Sequence, residues 1–215
     1  MRRFRVVAAL VAIVLGLAAF PSARHAILRA IGGLLVIDEA NVMERADVGV
    51  MTESGEAGEL EVSDRFHQNV FPHVLVLTPS PTEADRELDR RGVHIEDLTQ
   101  TRLRRLGVPD SAVTTIEAGE GGTTETTQAL AAWVREHPFR VLVIISPSHA
   151  RRYRRTLLRV WPPNAPLPRV TYPRHNLFHA EDWWQSRRTL REGLFELEKL
   201  AWDYVTHPLP SSRQR

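Results

Sequence analysis

The chain has 215 residues, 43% of them apolar, and a formal net charge of +2. That suffices for one α/β domain with a sizeable core plus a short N-terminal extension, and it excludes global disorder. There is no Cys, and Lys199 is the only Lys beside many dispersed arginines. This excludes disulfides, thiolate metal sites and Cys nucleophiles, and without a finger, repeat or basic tail nucleic acid is not an expected partner.

Arg2, Arg3 and Arg5 precede Val6–Phe20, fifteen residues without a charge. Such a run reads as a signal anchor or a cleaved signal peptide. Gly16 and Ala18 allow a cleavage site, but Phe20-Pro21 follows it awkwardly, so the anchor is preferred. A buried N-terminal helix suits a run apolar on all sides less well. The positive-inside rule then sets the arginines in the cytoplasm. The expected protein crosses the cytoplasmic membrane once, with its main domain on the extracytoplasmic side. Residues 1–25 form the anchor, 26–206 the domain and 207–215 a flexible tail.

Within the domain, Ala26–Ile37 reads as an amphipathic helix broken by Gly32-Gly33 and leading into a short strand at Leu34–Ile37. Ala46–Met51 is the first buried strand, Thr52–Glu59 an acidic loop, and Leu60–Val70 a helix. His73–Leu77 is the second strand, ending in Thr78-Pro79-Ser80-Pro81. Thr82–Leu106 is largely helical, interrupted near Gly92. Gly107–Asp110 is a turn and Val113–Ile116 the third strand. A Gly-Gly-Thr-Thr loop precedes the helix Thr126–Glu136. Val141–Ile145 is the fourth strand, Val170–Tyr172 the fifth and Asp182–Tyr204 a long amphipathic helix. Strands alternating with helices predict a doubly wound, Rossmann-like α/β fold with a mostly parallel sheet, preceded by a transmembrane helix.

The most informative stretch is Val141–Arg159. Five consecutive apolar residues read as a strand buried on both faces. Ser146-Pro147-Ser148-His149 is a polar turn. Ala150, Tyr153, Leu157 and Val160 then form one apolar helical stripe, and Arg155 and Arg159 read as a solvated face. Open α/β sheets bind ligands at their carboxyl edge. Helix starts with nearby arginines favour anions, phosphate above all. Candidate ligand contacts are Thr52 and Ser54 after the first strand, Thr78 after the second, Thr123 after the third, and Ser148, Arg151 and Arg152 after the fourth. Candidate catalytic groups are His149, Ser146 and Glu125, with Ser146 or Ser148 and His149 as a nucleophile–base pair or a ligand clamp. Helix capping is the alternative for the hydroxyls and for Thr123 and Glu125. Glu53, Glu56 and Glu59 read as a flexible acidic loop rather than cation ligands. The histidines form no zinc pattern, and Trp183 and Trp184 pack the last helix on the domain.

The order of segments resembles the ElyC/SanA/YdcF family. Leu35-Val36-Ile37-Asp38 followed by Arg45-Ala46-Asp47-Val48 is similar to that family's entry into its first strand. Leu106-Gly107-Val108-Pro109 resembles its turn before the third strand. Gly122-Thr123-Thr124-Glu125-Thr126 resembles its Ser-Thr-aromatic-Glu-Asn loop, and Ser146–Arg152 its Ser-x-x-His-x-x-Arg element. Asp182-Trp183-Trp184-Gln185-x-Arg187 and Glu198-Lys199-Leu200 look like its C-terminal helix. Where the family has a Gly-rich loop after the first strand, this chain has Thr52-Glu53-Ser54-Gly55-Glu56. Thr78-Pro79-Ser80 stands for its Ser-Gly-Gly, and Thr126 for its Asn.

The resemblance implies a doubly wound fold, an N-terminal membrane anchor and a role in envelope integrity or cell-wall (peptidoglycan) precursor metabolism. The expected ligand is a phosphate-containing small molecule or lipid-linked phosphate. The alternatives are a non-catalytic envelope factor acting through protein contacts, and an S-adenosylmethionine- or nucleotide-binding module. No cofactor or metal is assigned.

Overall fold

The computed structural model describes residues 20–42, 45–52, 55–93, 98–119 and 122–207. Of the anchor expected at residues 1–25, residues 1–19 lie outside the described residues, as do the tail beyond His207, Glu53 and Ser54. Among the described residues no helix is long and apolar enough to cross a membrane.

Five strands form one parallel sheet: β1 (Val48–Met51), β2 (His73–Thr78), β3 (Val113–Glu117), β4 (Val141–Ile144) and β5 (Arg169–Thr171), in the order β3-β2-β1-β4-β5. Every residue of β1 and β4 is buried. That explains their unbroken apolar text, since a central parallel strand has no solvated face. The edge strand β3 carries exposed Thr114, Thr115 and Glu117 instead.

Seven helices are described: α1 (Pro21–Gly33), α2 (Gly55–His67), α3 (Glu83–Arg90), α4 (Leu98–Arg105), α5 (Thr123–Glu136), α6 (Ala150–Val160) and α7 (Arg187–Thr206). Successive strand residues point to opposite faces and feed two cores. Val141, Val143 and Ile145 pack with Leu130 and Val134 of α5 and with Tyr153 and Leu157 of α6. Leu142 and Ile144 pack with Val62 of α2 and Leu103 of α4. So α2 and α4 cover one face, and α5 and α6 the other. The crossovers change face between the neighbours β1 and β4, whose register pairs Val48 with Val141 and Met51 with Ile144. Ligands of such sheets bind at the carboxyl ends of that strand pair.

A third cluster fastens the two ends of the domain. Leu35, Phe178, Trp183 and Leu200 are buried together, with Leu28 and Ile31 of α1 and Leu190 and Leu197 of α7 packed against them. Trp183 donates its indole N–H to the Leu28 carbonyl at 2.8 Å. Gly32 and Gly193 make room for its ring, because a Cβ at either would collide with it.

Several boundaries differ from the sequence reading. Leu34–Ile37 is not a strand. The segment is held by side chains and single main-chain bonds: Glu39 donates its N–H to Val170 O at 2.8 Å, and its carboxylate accepts from Val170 N at 3.1 Å. From Gly55 onward the expected acidic loop is instead the start of α2, where Glu56 and the buried Glu59 pair with Arg102 of α4. Helix α5 starts at Thr123 rather than Thr126, and α7 starts at Arg187 rather than Asp182. Helix α1 starts at Pro21, inside the segment assigned to the anchor.

The centre of β1 is a close approach. Phe71, 1% exposed, packs directly onto Gly49, and a Cβ there would enter its ring. Gly49→Ala is expected to destabilise the domain by about 1–3 kcal/mol through overpacking. Urea denaturation checks this: adding Phe71→Leu should recover part of the loss, and an unaltered midpoint for the single variant would refute the packing role.

Candidate functional site

The turn after β4 is short and stiff. Pro147–His149 form one 3-10 turn, closed by the His149 N–H on Ser146 O at 3.0 Å, and α6 continues from it. This places Ser146, Ser148 and His149 at the carboxyl edge of the sheet, beside Thr52 at the end of β1. Thr52 is buried, and its N–H points to Ile144 O at 3.5 Å.

His149 is the centre of a polar cluster drawn from three helices. Its Nε2 lies 3.2 Å from Thr123 Oγ1 at the start of α5, and its Nδ1 lies 3.0 Å from Glu196 Oε2 of α7. Arg152 donates to Thr123 Oγ1 at 3.0 Å and to Glu196 Oε2 at 2.9 Å. Its Nη2 also approaches His149 Nδ1 to 2.7 Å. A guanidinium only donates, so Nδ1 either accepts from Arg152 or gives its proton to Glu196. In the second arrangement Nε2 keeps a lone pair aimed at the Thr123 hydroxyl. That hydroxyl–imidazole–carboxylate order is the one a general base requires.

Glu196 is 8% exposed and also accepts from Lys199 Nζ at 2.9 Å. Burial works to raise its carboxyl, but hydrogen bonds from His149 and Arg152 outweigh burial and hold it well below the usual carboxylate range. The neighbouring Asp203 behaves alike: burial opposes ionisation, and Arg159 and Arg155 overcome it. A groove of about 350 Å³ opens beside the cluster, lined by Thr123, Thr124, Arg152, Thr156, Lys199 and Trp202 among others.

The expected site residues thus divide. Thr123, Ser146, Ser148, His149 and Arg152 come together. The Ser146–His149 pair is not formed, because Ser146 Oγ lies 3.4 Å from Ser148 Oγ while the imidazole faces Thr123 and Glu196. Ser148 donates to Glu192 of α7 at 2.5 Å. Arg151 turns away: its guanidinium binds the carbonyls of Gly33 and Val36, and its N–H binds Leu35 O at 3.0 Å. The start of α6, expected to hold an anion, is therefore capped by the segment after α1. Thr78 bonds Ile116 O at 3.4 Å, at the β3 side of the edge. Glu125 is exposed and folds over Gly119 and Gly122. Arg155 and Arg159, expected in solvent, pair with Asp203 at 2.7 and 2.6 Å.

Sequence reading missed Glu192, Glu196 and Lys199. A signal was present. Thr189, Gly193, Glu196, Leu200 and Asp203 are the buried line of α7. Two carboxylates on the inward face of an amphipathic helix require cationic partners, and arginines at helical spacing on α6 supply them. A second polar centre lies near the end of β5. The fully buried Glu61 accepts from Arg65 at 2.7 Å and from the Arg174 backbone at 3.1 Å, and Arg65 reaches Thr171 at 3.4 Å. All its charges are spent on each other, so it reads as a tie between α2 and the segment after β5. Among the described residues no group of three or more His, Asp or Glu side chains could hold a metal ion.

A scan against protein-family models, a search of curated proteins and a search of solved structures each found no match to this chain.

The carboxylates predict an acid limb. A carboxyl whose folded value lies below its unfolded one contributes stability that is whole above the unfolded value and is lost as pH falls. The ordinary values are 4.5 for Glu196 and 3.8 for Asp203, and both are depressed. Melting followed by circular dichroism should therefore show Tm falling below about pH 5. Asp203→Asn should lose about 3 kcal/mol at neutral pH, because it leaves Arg155 buried without its partner. The combination with Glu196→Gln should flatten the acid limb. A wild-type limb no steeper than that of the double variant would refute the assignment.

Proposed function

We propose that the chain is a membrane-anchored envelope protein whose α/β domain binds a phosphate-bearing ligand, in cell-wall precursor metabolism or envelope integrity. One observation carries the reading. Thr123, His149 and Arg152 meet where α5 begins, and the Gly122 N-cap gives that helix no side-chain cap. An uncapped helix start offers backbone N–H groups and a positive dipole end to an anion. Arg152 and Lys199 line the adjoining groove and add charge.

The chemistry available at this point is proton transfer. With its Nδ1–H donating to the Glu196 carboxylate, His149 takes a proton at Nε2 from the Thr123 hydroxyl, or from a water or ligand hydroxyl in its place. Glu196 then stabilises the imidazolium. Phosphate held at the α5 start would sit next to that nitrogen.

A second reading is a non-catalytic envelope factor. It is favoured by the saturation of Glu196, which already binds His149, Arg152 and Lys199. Here the cluster is a buckle between α5, α6 and α7. Calorimetric titration of the full chain in detergent with inorganic phosphate and a simple phosphomonoester separates the two. The first reading expects saturable binding, weakened roughly 10- to 150-fold in Arg152→Gln, the worth of a charge-assisted hydrogen bond. Absence of heat with either anion, with a large drop in Tm for Glu196→Gln, favours the buckle.

The anchored topology has its own test. An export-dependent reporter fused behind residue 215 should be active when the N-terminal segment is intact. Activity of a cytosol-only reporter at that position would overturn the topology, and a mature chain starting near Ala19 would replace the anchor with a cleaved signal.

A further inference from the structure

The outer face of α7 combines features that nothing else in the domain uses. Leu194, Phe195, Trp202 and Val205 are 54%, 49%, 68% and 79% exposed. Phe195, Glu198, Trp202 and Val205 follow one another at steps of three or four residues, which is a single helical line. Trp202 is by far the most exposed of the five tryptophans, since Trp161 and Trp183 are buried and Trp133 and Trp184 are half-buried. Arg187, Arg188 and Arg191 occupy the start of the same helix, all exposed, and Arg191 lies 5.5 Å from the Phe195 ring.

Two shallow grooves run along this face. One of about 610 Å³ is lined by Arg187, Arg188, Arg191, Glu192 and Phe195. One of about 600 Å³ is lined by Phe195, Ala201, Trp202 and Val205, with Glu198 and Lys199. Phe195 belongs to both, so a cationic strip passes directly into an apolar one.

We propose that this face of α7 seats the domain on an anionic membrane surface. The inference rests on the membrane-anchored reading above and adds how the domain lies. Trp, Phe, Leu and Val on one side, with arginines beside them, is the composition of a helix lying in a bilayer interface. The apolar side chains enter the acyl boundary, and the arginines extend to headgroup phosphates. Charge complementarity selects the occupant: the two grooves are lined by Arg187, Arg188, Arg191 and Lys199 against two carboxylates, Glu192 and Glu198, an excess of positive charge. A second copy fits less well, because a twofold pairing of this line would bring two Glu198 side chains together near its axis.

The position of α1 agrees. In the sequence it follows the uncharged run Val6–Phe20, and it shares with α7 the cluster around Trp183, which Leu28 and Ile31 of α1 and Leu190 and Leu197 of α7 pack against. Phe20, just before its start, is 65% exposed. Helix α1 is thus joined through one cluster to the helix proposed to lie on the bilayer. The seating also has a consequence for the site. The groove at Thr123 and Arg152 shares Lys199 and Trp202 with the apolar groove, so its mouth would open at headgroup level.

The test uses the full chain reconstituted in vesicles of phosphatidylcholine and phosphatidylglycerol carrying brominated acyl chains. Bromine quenches only tryptophans that reach the acyl boundary. Strong quenching is expected in the wild type, and Trp202→Phe should remove most of it. Arg187→Gln, Arg188→Gln and Arg191→Gln should each lower the docked-to-undocked ratio roughly fivefold, the contribution of about 1 kcal/mol from one basic residue at an anionic surface. Raising salt should act in the same direction. These positions are exposed, so melting curves should match the wild type. Flotation with the vesicles at high salt reports the anchor separately. Flotation without quenching, or quenching that survives Trp202→Phe, overturns the seating and leaves the anchor standing. A chain that does not float overturns both. A stable dimer in which Trp202 is shielded in the absence of lipid also overturns the proposal and assigns the face to a second copy.

Discussion

A single buried carboxylate organises the polar half of this domain. Glu196 is 8% exposed and would be costly to ionise alone. It stays ionised because His149 and Arg152 from the β4–α6 unit and Lys199 from its own helix converge on it. Those bonds draw α7, remote in sequence, over the carboxyl edge of the sheet. Arg152 and His149 then reach Thr123 and fix the start of α5. The candidate site exists only while this carboxylate is charged and in place.

The same economy explains the arginines. Arginines near a helix start read at first as a ligand signature, yet most of those after β4 are used by the protein. Arg155 and Arg159 hold Asp203, and Arg155 also lies 3.5 Å over the Tyr204 ring. Arg154 and Arg169 hold Glu39, and Arg140 holds Asp47. Planar guanidinium forks suit such multiple contacts better than Lys would. The presence of an arginine after a strand is thus weak evidence of a ligand, and its free geometry is what matters. Arg152 borders an open groove, whereas Arg151 is spent on carbonyls.

The sheet was legible because its signal is local. Each of the five strands falls within a residue or two of its apolar run, and the fully buried text of Val141–Ile145 identified a central parallel strand. Helix starts were less legible. Gly55, Glu56 and Thr123 read as loop text, yet Thr123 opens a helix after Gly122, and Glu59 is drawn into the fold by Arg102 from another helix. The Leu34–Ile37 run looked like a strand because its apolar content is real, but it packs against Trp183 and caps α6 rather than joining the sheet. Half of the candidate site was legible, because Ser146–Arg152 and Thr123 are marked by strand-then-turn text. Glu192 and Glu196 were not: the apolar line of α7 marks Glu196 as inward, but the side chains it meets follow from a fold-back of α7 that no local pattern encodes.

The two helix starts at the sheet edge have unlike fates, and the difference ties the site to the N-terminal segment. At α6 the N–H of Arg151 binds Leu35 O, and its guanidinium binds Gly33 O and Val36 O. Leu35 O takes a helix N–H, and the other two carbonyls take the guanidinium that an anion would otherwise bind. At α5 the N-cap is Gly122, with no side chain of its own, and among the described residues only the exposed Glu125 of the first turn lies over it. The carbonyls that cap α6 belong to the segment leaving α1, and α1 is pinned to α7 by Trp183 between Gly32 and Gly193. Moving α1 relative to α7 would strip the cap from α6 and loosen the helix that carries His149 and Arg152. A domain built this way has the carboxyl edge of its sheet mechanically coupled to helix α1 and the segment that leaves it.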